Sequence, residues 1–208
     1  MKIIACSNCR LALLEFCKAK LFLVKEIRVK RKLVVIFPGM GYHSDKPLLY
    51  FSKKIAKSKD YKIIDINYDF GYEVHTESKE KVFEDAMTIS KSILDNINYE
   101  DYERVVFIGK SIGTVVAAKY NFENGIGAEM IIFTPVPQTF QYIDSEDCII
   151  FHGSSDPLCA TELVIEFCDG HSLTYAVIPD ANHSLETGNV LIDIENIHKI
   201  MYSVDKVL

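Results

Sequence analysis

From residue 33 onward the chain alternates short, unbroken apolar runs with stretches of helical periodicity. This alternation limits the possible folds more than any other feature. Leu33–Phe37 (LVVIF) is apolar at every position and stops at Pro38-Gly39. A strand with no polar alternation has no wet face, so it belongs in a sheet covered on both sides. Tyr61–Tyr68, Arg104–Ile108, Met130–Phe133, Cys148–Phe151 and Leu173–Ile178 read as further strands. Between and after them lie helical patterns. Pro47–Ser58 opens with a proline at a helix start. Thr76–Ile97 places Val82, Ala86, Ile89, Ile93 and Ile97 along one face. Ile112–Tyr120, Leu158–Cys168 and Val190–Val207 complete the set. Strand and helix in this order predict βαβ units: an α/β chain, folded as a three-layer α/β/α sandwich around a mostly parallel central sheet. Such sheets bind ligands beyond the carboxyl ends of their strands, so the loops after the strands are where chemistry is sought.

The 208 residues suit one domain over 33–208, preceded by a basic segment, 1–32, too short to be independent. That segment holds nine basic and two acidic residues, although the whole chain carries −6. Within it residues 8–20 look helical, and Leu21–Val29 reads as a possible edge strand. A solvated basic edge is the plainer reading, and an acidic body argues against a nucleic-acid partner. The apolar stretches Leu11–Leu14 and Leu21–Val24 are broken by charges, far short of the ~20 residues of a spanning helix. With no transmembrane segment and no signal-peptide pattern, the expected location is cytoplasmic, and the six cysteines are expected as thiols. Cys6-x-x-Cys9 is half of a metal-binding spacing without a second half. Neither a metal nor another cofactor is expected.

The loop after Arg104–Ile108 reads Gly109-Lys110-Ser111-Ile112-Gly113. A serine at the tip of a tight strand-to-helix turn has its hydroxyl exposed above the sheet, and glycines two residues to either side let neighbouring chain approach. The bland alternative is a serine that only caps the next helix. A nucleophile needs a base and an acid. The loop after Cys148–Phe151 supplies His152-Gly153-Ser154-Ser155-Asp156-Pro157. The loop after Leu173–Ile178 supplies Asp180-Ala181-Asn182-His183-Ser184-Leu185-Glu186. Parallel strands put all three loops on one edge. Asp156 is the candidate acid, with Asp180 and Asp147 as rivals and helix capping as its plain alternative.

With these residues the chain resembles the α/β-hydrolase superfamily, and more narrowly its small bacterial members without a lid domain. The resemblance spans about residues 33–208. It rests on Phe37-Pro38-Gly39-Met40-Gly41, Gly109-Lys110-Ser111-Ile112-Gly113, His152-Gly153-Ser154-Ser155-Asp156 and Asn182-His183-Ser184-Leu185-Glu186. It implies nucleophile, acid and base in the chain order Ser111, Asp156, His183. It also implies an oxyanion hole from the backbone N–H groups of Met40 and Ile112, although the His-Gly that often precedes the first donor is absent here. His152 matches a structural histidine at the head of the acid loop.

Only Thr134–Asp147 separates the fourth and fifth core strands, room for one short helix rather than a lid. An open site suits a small ester or thioester as the small-molecule partner. Tyr42, His43, Lys110 and Thr134 flank the expected pocket, with Tyr68, Asp69, Phe70, Tyr72, Pro135 and Phe140 as further walls. The expected activity is hydrolysis through an acyl-enzyme. Acyl transfer or peptide cleavage with the same triad, and a non-catalytic binding role, are the alternatives.

Overall fold

Apolar residues on both sides of one strand set the layers. In β1 (Arg31–Phe37) every residue from Leu33 to Phe37 is fully buried. Leu33, Val35 and Phe37 enter one core; Val34 and Ile36 enter the other. The first core is closed by Ala86, Met87 and Leu94 of α2 (Lys79–Leu94), Val116, Ala117 and Tyr120 of α3 (Ile112–Asn124), and Val164 and Cys168 of α4 (Thr161–Gly170). The second is closed by Leu48, Leu49 and Ala56 of α1 (Pro47–Ser58) and Ile200, Met201 and Val204 of α5 (Val190–Val207), which pack against each other. The computed structural model describes residues 31–143 and 147–208. The basic segment before residue 31 and Cys6-x-x-Cys9 therefore lie outside the described residues, while Arg31 and Lys32 open β1.

The remaining strands are β2 (Tyr61–Asp65), β3 (Tyr102–Ser111), β4 (Glu129–Pro135), β5 (Cys148–Gly153) and β6 (Thr174–Ile178). They form one six-stranded sheet in the order β2-β1-β3-β4-β5-β6, parallel at every pairing. The chain moves outward from β1 to β2, then crosses back to β3 on the other side. The topological switch point lies between β1 and β3, the place in such sheets where ligands are expected beyond the strand ends.

Several boundaries differ from the sequence expectation, three of them for evident physical reasons. The second strand stops at Asp65 rather than Tyr68. Its sole partner is β1, where Ile36 O accepts from Ile66 N–H, and Pro38 just beyond has no N–H to extend the ladder. The third strand runs to Ser111 because it is central, paired from Arg31↔Tyr102 on one side to Ser111↔Pro135 on the other. Helix α2 begins at Lys79 because the Ser78 hydroxyl caps it, accepting from Lys81 N–H at 3.1 Å. Helices α1 and α5 have the expected bounds. Pro47 starts the first, and the Asn189 side chain caps the second through Leu191 and Ile192. Between β4 and β5 the described residues hold a short 3₁₀ turn, Pro137–Gln141, and no lid.

Phe107 lies at the middle of β3, fully buried, with its ring 5.1 Å from that of Phe37 and 6.4 Å from that of Tyr120. Phe107→Ala is expected to cost about 3–5 kcal/mol, because this rigid sheet cannot collapse around the void. Urea unfolding checks this as a lower midpoint at unchanged slope.

Candidate active site

The strand-to-helix turn at Ser111 is built by close backbone approach. Ser111 has φ 57° and ψ −124°, a region that residues with a Cβ seldom occupy and that costs about 1–3 kcal/mol. What holds it is the packing of α3 against the end of β1. A Cβ on Gly113 would lie 2.2 Å from the Phe37 carbonyl oxygen and 2.5 Å from that of Pro38. A Cβ on Gly109 would lie 2.8 Å from Thr114 Cα. The Thr114 hydroxyl donates to Ser111 O at 2.6 Å and contacts the Thr139 hydroxyl at 2.7 Å. The Ser111 side chain makes no capping bond, so the capping alternative does not describe it.

The loops after β5 and β6 are stapled to each other. Ser155 N–H donates to Ala181 O at 2.9 Å, Ser154 N–H to Ile178 O at 2.9 Å, and Asp180 N–H to the Ser154 hydroxyl at 2.8 Å. Asp156 points inward with its side chain fully buried. Its Oδ1 accepts from Leu158 N–H at 2.9 Å, which leaves Oδ2 free to face the histidine. The loop carrying His183 is held from within. The Asn182 side-chain oxygen accepts from Ser184 N–H at 2.7 Å and Glu186 N–H at 3.2 Å, and Leu185 is anchored in the α1/α5 core.

These loops bring the three residues into one hydrogen-bonded line. His183 Nδ1 lies 2.7 Å from Asp156 Oδ2, and His183 Nε2 lies 2.8 Å from Ser111 Oγ. Asp180 instead sits on the exposed turn before His183, at φ 59°. Burial lowers the His183 pKa, and the nearby Lys110 ammonium lowers it further, against the hydrogen bond and charge of Asp156. His152 is fully buried, with Nε2 at 3.1 Å from the Thr161 hydroxyl and Nδ1 at 3.8 Å from Asp156 Oδ2. Burial holds it toward the neutral form despite Asp156.

Of the four expected pocket residues, the structure leaves His43 exposed and buries Tyr42, Lys110 and Thr134. The Tyr42 hydroxyl accepts from Leu48 N–H at 3.2 Å at the start of α1. Thr134, at φ 46°, has a buried hydroxyl with no hydrogen-bond partner, one residue before the Pro135 that pairs with Ser111. Met40 lies in a turn closed by Gly39 N–H to Tyr42 O at 3.0 Å, and it is 44% exposed. A Cβ on Gly39 would come 3.1 Å from Ser111 Cβ, so this loop passes directly beside the serine. Ile112 is the first residue of α3, where an N–H has no acceptor within its own helix. Tyr68, Phe70 and Tyr72 stack in series at 5.6 Å spacings, and Phe140 packs on Phe167.

Three contacts in this arrangement escape a reading of residue types alone: the Asn182 brace, the Leu158 N–H on Asp156, and the Lys110 amine, which donates to His183 O at 2.8 Å. The first was signalled by an asparagine just before the histidine. Nothing in the local pattern signals the other two. Among the described residues no group of three or more His, Cys, Asp or Glu is placed to hold a metal ion, and no helix is long and apolar enough to cross a membrane. Cys148, Cys159 and Cys168 are buried thiols; burial pushes the last two up to about 11.

No protein-family model matches this sequence, and no curated protein matches it. Solved structures do. An esterase of Pyrococcus furiosus superposes with a TM-score of 0.61 at 16% identity, over 87% of this chain and 83% of that one. An α/β serine hydrolase without a lid from Xanthomonas campestris gives 0.55 at 10% identity, over 85% and 82%. An α/β serine hydrolase homologue from Coxiella burnetii gives 0.58 at 14% identity, over 83% and 84%. The chain has the α/β-hydrolase fold, with no lid among the described residues.

The close approach at Gly113 has a measurable consequence. Gly113→Ala would drive its methyl group into the backbone of β1, so a loss of about 1–3 kcal/mol or more is expected. The thermal midpoint checks this, with Gly125→Ala, a change in open space at the end of α3, as a comparison for backbone strain alone.

Proposed function

We propose that this protein is a serine hydrolase that cleaves a small carboxylic ester or thioester through an acyl-enzyme. The observation that carries the reading is the unbroken line from Ser111 Oγ through both ring nitrogens of His183 to Asp156, with distances of 2.8 and 2.7 Å. A serine hydroxyl is a poor nucleophile until a base takes its proton, and His183 Nε2 is within reach to do so. Asp156 fixes the tautomer in which Nδ1 carries the hydrogen, and it stabilises the imidazolium formed when Ser111 attacks. The carbonyl oxygen gains negative charge in that step. The N–H groups of Ile112 and Met40 are the donors we assign to it, from the start of α3 and from the loop beside Ser111. His183 then returns the proton to the leaving alcohol or thiol. Water, deprotonated by the same imidazole, frees the acid. The connection between β4 and β5 is short and no lid covers the serine among the described residues, which favours small acyl groups over a buried lipid tunnel.

A fluorophosphonate probe tests the activated serine directly. Labelling of the full chain is expected, with loss in Ser111→Ala and His183→Ala, together with a fall of about 10⁴- to 10⁶-fold in p-nitrophenyl acetate turnover. Absence of labelling in folded protein would overturn the reading. The pH profile is a second check. The base must be neutral, and its pKa is held below the ordinary 6.5. Activity should therefore persist as pH falls through 6.5 and be lost at lower pH, whereas a base with an unshifted pKa would be half-lost at 6.5.

A further inference from the structure

The residue before the serine is the costliest side chain in this site. Lys110 is 1% exposed. Strand alternation carries it to the side of Val106 and Ile108, away from solvent and against the ring of Tyr42, whose centroid lies 5.0 Å from Nζ. Among the described residues its close acceptor is the main-chain oxygen of His183, at 2.8 Å. An amine buried this way loses its hydration for a single carbonyl and a cation–π contact. Methionine would fill the space without that loss, so core packing alone does not account for an amine here.

We infer that Lys110 is a positioning residue for the base: it grips the backbone of His183 while the adjacent Ser111 meets the imidazole, so one turn of chain fixes both ends of the histidine. The inference rests on the serine-hydrolase reading. His183 sits on a loop outside any helix or strand, half-buried between the anchored Ala181 and Leu185, and its ring must keep Nε2 within a few tenths of an ångström of Ser111 Oγ as charge develops. Asp156 controls the ring through Nδ1. Lys110 controls the peptide from which the ring hangs. The groups that act on its charge are Asp156 from the β5 loop and Glu186 from the His183 loop, which favour the ammonium, and Lys46 before α1, which opposes it. Lys46 also faces the Tyr42 ring, at 5.2 Å. Burial dominates and brings the Lys110 pKa down to about 7. It remains protonated over the lower pH range in which His183 titrates, and its charge there disfavours the imidazolium. Lys110 thus both orients the base and keeps it in its proton-accepting form.

Lys110→Met and Lys110→Gln in the full chain test this. Both remove the charge; the amide of glutamine retains a donor. Expected results are a fall in ester turnover of about ten- to a hundred-fold with KM little changed, larger for methionine than for glutamine. In both variants the acidic limb of kcat/KM and the His183 titration followed by ¹⁵N NMR should move to higher pH. Wild-type turnover and an unmoved His183 titration in both would overturn the inference. So would loss of the folded state in both, which would make the lysine a requirement of the core. If the wild-type chain fails to take the fluorophosphonate, the serine-hydrolase reading falls and this inference with it. Labelled wild type with unaffected variants removes this inference alone.

Discussion

The turn that presents Ser111 depends on two backbones coming closer than side chains allow. At Gly113 the first turn of α3 presses on the carbonyls of Phe37 and Pro38. That contact is possible only because β1 and β3 are neighbours at the centre of the sheet, and it confines the short link between β3 and α3. Ser111 takes up the remaining angle with its positive φ. The strain is local, and the surroundings that sustain it are extensive: a central strand buried on both faces and a helix buried along most of its length. Strain of this kind persists where the structure around it over-determines the conformation.

The fold was legible because parallel sheets leave a plain mark. Strands covered on both faces read as unbroken apolar runs, as Leu33–Phe37, Met130–Phe133 and Cys148–Phe151 do, and the strand stretches stand clear of the helical ones. That Ser111, Asp156 and His183 would come together was legible for a related reason, since each lies at or just after the end of a strand and such ends share an edge. Boundaries were less so. Gly109 is a poor strand former that lies in β3 because both its flanks are paired, with Phe37 and Ile132, and Lys110 follows through its pairing with Phe133. Tyr68 has strand character but no continuing partner, since the ladder stops at Pro38. The lysine–histidine contact was hidden because it joins a side chain to a main-chain atom 73 positions away, and a main-chain acceptor leaves no trace in residue type.

The electrostatics of the site follow from the same geometry. Asp156 has one oxygen committed to a local N–H and the other to His183, so its charge is directed rather than shared. Burial and Lys110 together disfavour a charged imidazole, while Asp156 favours it. The opposing influences hold the ring toward its neutral form while setting a carboxylate where it would stabilise a proton gained, the balance that the proposed general-base role requires.

The staples between the β5 and β6 loops bear on how such a molecule would fail. Ser154, Ser155 and Asp180 tie the acid loop and the base loop into a single body at one margin of the sheet, and β6 is its edge strand. Edge elements detach from a fold at lower free energy than its centre. When this margin loosens with heat, Asp156 and His183 leave Ser111 together, and the hydrogen-bonded line breaks in one step while the inner strands and the bent turn at Ser111 are still in place.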